Sequence, residues 1–144
     1  MSLDMFVSAF SEDGENDFPR SIVEQAFAPF VEDVKDTYWR LNLRSGEQTF
    51  IDMDVEAGEM IDGFSINRPP SYEGFPEFWE ALYNVLRQTR AFCVLAGVRE
   101  DPNCCAANPD VVNEVPEPLQ DVAAARGGAR LVSSAAELEA ALFD

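Results

Sequence analysis

The feature that most constrains the fold of this chain is the alternation of apolar and polar side chains over residues 38–55. In the first arm of this segment, Trp39, Leu41 and Leu43 alternate with arginine and asparagine residues. In the second arm, the less polar positions are Thr49, Ile51, Met53 and Val55. Successive side chains of a strand point to opposite faces, so this pattern predicts two strands with one apolar face each. The segment is therefore predicted to be a β-hairpin.

The length of the hairpin turn can be predicted because the apolar residues of both arms occupy odd-numbered positions. For both sets to share one face, odd positions must pair with odd positions. A two-residue loop of Ser45 and Gly46 would pair residue 44 with residue 47 and break this rule. A three-residue loop over 44–46, with Gly46 in the left-handed conformation, pairs Leu43 with Glu47 and keeps it. We therefore predict the three-residue turn.

A helix is predicted before the hairpin. Pro19 fits its first turn, and Ser21 with Glu24 has the spacing of a capping box. Apolar residues then recur at helical spacing as far as Val34. Pro29 lies inside this pattern and cannot donate a backbone hydrogen bond, so we expect the helix to kink or break just before it.

Three further strands and a second helix complete the first two thirds of the chain. Strands are predicted at 5–10, at 58–70, and at 91–97, which is continuously apolar and therefore expected to be buried on both faces. The apolar positions of the 58–70 strand include Met60, Phe64 and Ile66. The second helix is expected to begin at Pro76. Its apolar stripe consists of Phe78, Trp79, Leu82, Tyr83, Val85 and Leu86.

The character of the sequence changes after Gly97. Residues 99–110 have the composition of a loop, and the segment 115–126 is predicted to be a short helix. A short strand is expected within 129–134. A final helix should follow, with Ser134 and Glu137 as its capping box.

Together these elements predict one domain of the α+β class over residues 1–144. The order β-α-β-β-β-α-β places a mainly antiparallel core sheet and two helices in residues 1–97, with the helices packed on one face. Residues 98–144 form a mixed helical C-terminal tail in this prediction.

The strong acidity of the chain limits its partners. Its 27 Asp and Glu residues against 10 Lys and Arg residues give a formal net charge of −17. A broadly negative surface repels phosphate backbones and anionic membranes and favours cationic partners. We therefore expect a protein partner with a basic surface, and neither nucleic acid nor membrane; the alternative is that the charge serves solubility alone. A membrane helix needs about 18 apolar residues in a row, and a secretory signal needs a basic and then an apolar region, so we expect neither here.

The absence of histidine excludes several kinds of active site. No Ser-His-Asp or Cys-His nucleophile can be built, and no zinc site with histidine ligands. Three cysteines, two of them adjacent, fit neither a four-cysteine metal site nor a disulfide framework, so the expected compartment is a reducing cytoplasm. No glycine-rich phosphate-binding motif occurs. We expect no cofactor and no metal, and we assign no catalytic residue.

The first candidate site is an acidic stripe formed by Asp52, Asp54 and Glu56. In the predicted hairpin Asp52 and Asp54 share a face with Arg40 and Asn42, and Arg40 lies opposite Phe50 and diagonal to Asp52. One interpretation is a solvated sheet face with a cross-strand ion pair. A second is a partner-binding surface. A third is a divalent metal held by the Asp-x-Asp pair, because hard cations prefer oxygen ligands.

The second candidate site is the loop at 68–79, which combines an arginine, two prolines and several aromatic residues. Functionally, the aromatic residues would receive a ligand or a partner side chain. Structurally, the prolines would stiffen a crossover, and the aromatic residues would belong to the core. The expected partner-binding residues are Asp52, Asp54, Glu56, Arg68 and Tyr72.

Four segments of the first two thirds carry a resemblance to known proteins. They are the strand MFVSAF, the helix start FPRSIVEQAF, the strand pair WRL and GFSINRPP, and the helix FWEALYNVLRQT. In their order and acidity they resemble immunity proteins of bacterial polymorphic-toxin and contact-dependent inhibition systems, and also a group of uncharacterised single-domain bacterial proteins. The resemblance implies a cytosolic protein that binds another protein, and it carries over no catalytic residue.

These observations favour a non-catalytic, cytosolic protein that binds a basic protein through an acidic face, as an immunity protein binds a toxin. One alternative is a small enzyme or ligand-binding domain that uses carboxylates and the aromatic loop. It predicts a closed apolar pocket containing a carboxylate of raised pKa. A further alternative is a structural subunit of a homodimer.

Overall fold

The fold is organised around one large β-sheet. The computed structural model describes residues 4–9, 15–34, 38–42, 48–52, 59–96, 102–115, 117–125 and 128–143. The strands in this part of the chain are β1 (Asp4–Ser8), β2 (Phe18–Pro19), β3 (Val31–Val34), β4 (Tyr38–Asn42), β5 (Gln48–Asp52), β6 (Met60–Ile61), β7 (Gly63–Asn67), β8 (Phe92–Ala96), β9 (Cys104–Ala106) and β10 (Arg130–Leu131). The helices are α1 (Arg20–Phe27), α2 (Pro76–Arg87), α3 (Glu117–Ala125) and α4 (Ala135–Phe143), with a 3₁₀ turn at Ala28–Phe30.

Eight of these strands form the sheet in the order β10-β9-β8-β1-β7-β5-β4-β3. Its neighbouring strands are antiparallel, except that β9 and β10 are parallel. The short strands β2 and β6 pair separately as an antiparallel ribbon. The predicted fold class is confirmed, because the chain forms a single α+β domain with a mostly antiparallel sheet.

The main core lies between one face of the sheet and the helices α1, α2 and α4. The strands contribute alternate residues, as their period requires; these include Met5, Val7, Leu41, Ile51, Phe64, Ile66, Cys93 and Leu95. The helices contribute Val23, Phe27, Phe78, Trp79, Leu82, Val85, Leu86, Leu138, Ala141 and Leu142. The apolar stripe predicted for the second helix therefore faces the sheet, with Tyr83 only partly buried at its border.

A second, smaller core lies on the opposite face of the sheet. The residues of β8 and β9 that point away from the main core form it together with one side of α3. Its members include Phe92, Val94, Cys104, Ala106, Val111 and Ala123, with Leu119 packed against them. Strand β8, the described part of the strand predicted at 91–97, is thus buried on both faces, as predicted.

The hairpin has the predicted register. Trp39 pairs with Ile51, and Arg40 lies opposite Phe50. The last described pair, Asn42 with Gln48, has the register that a three-residue turn requires. The turn residues and residues 53–55 of the second arm lie outside the described residues.

The first helix breaks where Pro29 was expected to break it. Helix α1 ends at Phe27 and passes into the 3₁₀ turn. The apolar residues beyond this point, Val31 and Val34, belong instead to β3, which adds a third strand beside the hairpin through its pairing with β4. That strand was not predicted.

The capping box predicted at Ser21 and Glu24 is wrong. The N-cap of α1 is Pro19, which belongs to β2, so Ser21 lies inside the helix. The physical reason is the pairing of β2 with β6. Beside this ribbon the Arg20 N–H, one of the first backbone donors of the helix, donates to the Glu59 carbonyl at 2.8 Å, so the helix begins before Ser21.

The capping box predicted for the last helix is half confirmed. The Glu137 N–H donates to Ser134 Oγ at 3.1 Å, which is the forward half of the box. The Glu137 carboxylate accepts a hydrogen bond from Ser133 Oγ at 2.9 Å.

Two further expectations are corrected by the structure. Met60, grouped with the apolar positions of its strand, is 46% exposed, and its neighbour Ile61 is buried instead. The segment 99–110 contains β9, so Cys104 and Cys105 are buried strand residues and not loop residues. A strand of only three residues leaves little periodicity in the sequence and is held by its neighbours β8 and β10.

Candidate partner-binding face

The strands β1, β7, β5 and β4 present one side to the main core and the other side away from it. We call the second side the outer face and define it by the residues Asp4, Phe6, Ser8, Arg40, Gln48, Phe50, Asp52, Ser65 and Asn67. Helix α3 packs beside this face, over β8 and β9. Phe6 on β1 remains 46% exposed, although β1 lies in the middle of the sheet.

The strand registers arrange the outer face in two rows. The first row runs from Val94 through Phe6 and Ser65 to Asp52, each residue directly opposite the next. Neighbouring strands are about 4.8 Å apart, so the backbone of Asp52 lies about 10 Å from that of Phe6. Asp52 is exposed. The row therefore passes from an apolar end at β8 to a carboxylate on β5.

The second row runs beside the first, from Asp4 through Asn67 and Phe50 to Arg40. Asn67 Nδ2 donates to Asp4 Oδ1 at 2.7 Å, which fixes the orientation of this carboxylate. Arg40 Nε lies 3.8 Å from the Glu32 carboxylate on β3. Each row thus combines one aromatic ring with one carboxylate, and the second row also carries the Arg40 guanidinium.

The structure describes three of the five residues predicted to bind a partner, and it does not bring Asp52 together with the other two. Asp52 lies on the outer face, whereas Asp54 and Glu56 lie outside the described residues. Arg68 is exposed and follows β7 at the end away from Asp52. Tyr72 is half-buried and packs against the main core on the helix side of the sheet. Asp52 and Tyr72 are therefore not brought together.

The loop that contains Arg68 and Tyr72 is tied to the core by its backbone. The Arg68 carbonyl accepts a hydrogen bond from the buried Thr49 Oγ1 at 2.6 Å, and Arg68 has a left-handed φ of 58°. The Pro70 carbonyl accepts one from Trp79 Nε1 at 3.0 Å. The Tyr72 N–H donates to the Glu139 carboxylate at 3.0 Å. These contacts favour the structural interpretation of the loop.

The outer face includes two residues that the sequence interpretation did not single out, Asp4 and Phe6. The signal was present in the strict alternation of β1, where Met5 and Val7 point into the main core. Residues between them must point outward. A phenylalanine at such a position is an apolar side chain left without a covering layer.

A shallow groove lies at the apolar end of the outer face, with a volume of about 300 Å³. It is lined by Phe6, Ser8, Phe92, Val94 and Leu119. Leu119 belongs to α3, so the helix forms one wall and the strands β1 and β8 form the floor.

The three cysteines are free, buried thiols. Cys93 lies directly opposite Cys105 across β8 and β9. Burial, together with the neighbouring Cys105 and Cys104, raises the pKa of Cys93 well above its usual value. Burial raises the pKa of Cys104 and of Cys105 to about 12. The reactive thiolate is therefore disfavoured at neutral pH.

Neither similarity to known proteins nor the placement of possible metal ligands indicates a further site among the described residues. No protein-family model, no curated protein and no solved structure matches the chain. Among the described residues, no group of three or more Cys, Asp or Glu side chains is placed to hold a metal ion. No described helix has the length and apolar character needed to cross a bilayer.

Proposed function

We propose that this protein acts by binding a basic protein, without catalysis, through the outer face of its sheet. The observation that carries this proposal is the juxtaposition of a half-exposed phenylalanine, Phe6, with the carboxylates of Asp4 and Asp52. Protein interfaces commonly combine an apolar centre with a polar rim. A basic toxin, neutralised as immunity proteins neutralise theirs, is the kind of partner that this face would fit.

The charge of the whole chain supports a cationic partner. A net charge of −17 creates a negative potential that accelerates the approach of a basic surface. This attraction is screened at physiological ionic strength over about 8 Å, so the rate of association should fall as salt is added. Asp54 and Glu56 remain part of the proposed surface because they follow Asp52 at every second position of the sequence.

The chemistry of the chain supports a role without catalysis in a reducing cytoplasm. The chain contains no histidine, and all three thiols are buried with raised pKa values. A nucleophile of the usual activated kinds needs an adjacent base or a lowered pKa. Free thiols are the form in which a reducing compartment keeps cysteine.

A charge-matched capture experiment tests this proposal. The tagged protein is incubated with lysate of the source cells at low and moderate salt, beside a triple variant, Asp52→Asn with Asp54→Asn and Glu56→Gln. The control triple variant changes exposed acids elsewhere, Glu73→Gln, Glu80→Gln and Asp110→Asn, and so makes the same change in net charge.

The proposal expects one basic protein to be retained by the wild type and by the control variant and to be lost with the first variant. Equal retention by all three proteins would show that this surface has no specific role. Loss with both variants alike would show that only overall charge matters.

A further inference from the structure

Three surface grooves in the described part of the chain differ in the chemistry of their walls. One, at the start of α1, is lined by Arg20, Glu24 and Glu59 among others, and Arg20 Nε already lies 3.0 Å from the Glu24 carboxylate. A second, beside β10, includes Arg130 and Glu137. Of these three, only the groove on the outer face has no charged side chain in its lining, which consists of four apolar residues and one serine.

We infer that the groove lined by Phe6, Phe92, Val94 and Leu119 receives an apolar side chain from a cationic segment of the partner. This inference rests on the proposed function and specifies how that face would recognise its partner. The volume of about 300 Å³ is at the small end of ligand pockets and suits one aromatic or branched side chain.

The surroundings of the groove decide which occupant fits. Asp4 precedes Phe6 by two residues on the same strand, so both side chains lie on the outer face about 7 Å apart along β1. Asp52 lies at the far end of the Phe6 row. Basic residues that flank an apolar side chain would meet these carboxylates while the apolar side chain enters the groove.

The same charges disfavour a second copy of this chain as the occupant. Two copies in face-to-face contact would each bring Asp4 and Asp52, and each copy carries a net charge of −17. Like charges placed opposite each other oppose association. A cationic segment that carries one apolar side chain avoids this repulsion, and its apolar side chain can fill the groove.

The test uses three blocked pentapeptides as probes and the isotope-labelled full chain. The first has phenylalanine between two pairs of lysines. The second replaces phenylalanine with serine, and the third replaces the lysines with glutamates. Amide chemical shifts are followed during titration at low salt, in the wild type and in the variants Phe6→Ser and Leu131→Ser. Leu131 is a matched control, because it is a strand residue with 45% exposure against 46% for Phe6.

We expect the lysine–phenylalanine peptide to shift the amides of residues 6, 8, 94 and 119 and to bind about tenfold more tightly than the serine peptide, as the burial of one aromatic side chain implies. Phe6→Ser should remove this difference and Leu131→Ser should keep it. Equal binding of the two lysine peptides at the outer face would overturn the groove inference and leave the acidic face standing. Three other outcomes would also overturn the inference: amide shifts elsewhere in the protein, equal binding of the glutamate peptide, and no binding by any peptide. Amide shifts elsewhere and equal binding of the glutamate peptide would also count against the proposed function.

Discussion

At the scale of single residues, the cysteines show how burial decides chemistry. Cys93 and Cys105 point into the main core, and Cys104 points into the smaller core on the other face. The adjacent pair therefore lies on opposite faces of one strand, as the period of a strand requires. The sequence predicted a loop around this pair, and it could not show that both thiols are buried in a short strand.

The raised thiol pKa values predict a loss of stability at alkaline pH. Burial raises the pKa of Cys104 and of Cys105 from 9.0, the usual value for a thiol, to about 12. Between these values the unfolded chain releases protons that the folded chain retains, so the free energy of unfolding falls as pH rises above 9.0. Each thiol should contribute a slope of about 1.4 kcal/mol per pH unit.

Urea unfolding at a series of pH values from neutral to alkaline, for the wild type and Cys104→Ala, measures this slope. The variant lacks the contribution of one thiol to this slope. Its free energy of unfolding should therefore fall less steeply with pH, whatever its stability at neutral pH. An unchanged slope would contradict this prediction, because it would mean that Cys104 loses its proton at the same pH in the folded and in the unfolded chain.

At the scale of elements, the close approach of β1 and β7 is set by Gly63. A Cβ atom at this position would lie 2.4 Å from the Val7 carbonyl oxygen and 3.2 Å from Ser8 Cα, both backbone atoms. We expect Gly63→Ala to destabilise the protein by about 1–3 kcal/mol, the usual cost of overpacking. Denaturant unfolding measures the loss.

Gly74→Ala is the matched control for this prediction. Its added Cβ would lie 2.9 Å from Ser71 Oγ, an exposed side-chain atom that can rotate away with the loss of one surface hydrogen bond, the one it accepts from the Gly74 N–H. The control should therefore cost much less than Gly63→Ala. Similar losses in both variants would show that the separation of β1 and β7 does not depend on the glycine.

The elements also show which parts of the fold can be predicted from sequence. The hairpin of β4 and β5 was predicted in register, because two alternating arms and a glycine turn leave only one consistent pairing. β3 was missed because Val31 and Val34 also fit helical spacing, so its pairing with β4 decides its conformation. β9 was missed because its three residues are stabilised by neighbours distant in the sequence.

At the scale of the whole molecule, the acidic character was predictable and its placement only partly so. Asp52 lies on the face expected from hairpin parity, and Phe50 lies beside it. Asp4 and Phe6 belong to the outer face because the first strand, β1, lies between β7 and β8 in the sheet. That strand order is a long-range property of the sheet, and no local pattern in the sequence specifies it.

Hydroxyl-radical footprinting of the protein, alone and with the partner recovered by capture, distinguishes a partner bound to the outer face from one bound elsewhere. Three apolar side chains serve as reporters with nearly equal exposure: Phe6 at 46%, Met60 at 46% and Leu131 at 45%. Each is compared with itself in the free and bound states. We expect the oxidation rate of Phe6 to fall several-fold on binding, while Met60 and Leu131 keep the oxidation rates of the unbound protein. Unchanged oxidation of Phe6 together with protection of Met60 or Leu131 would contradict this expectation, because the partner would then lie on another surface.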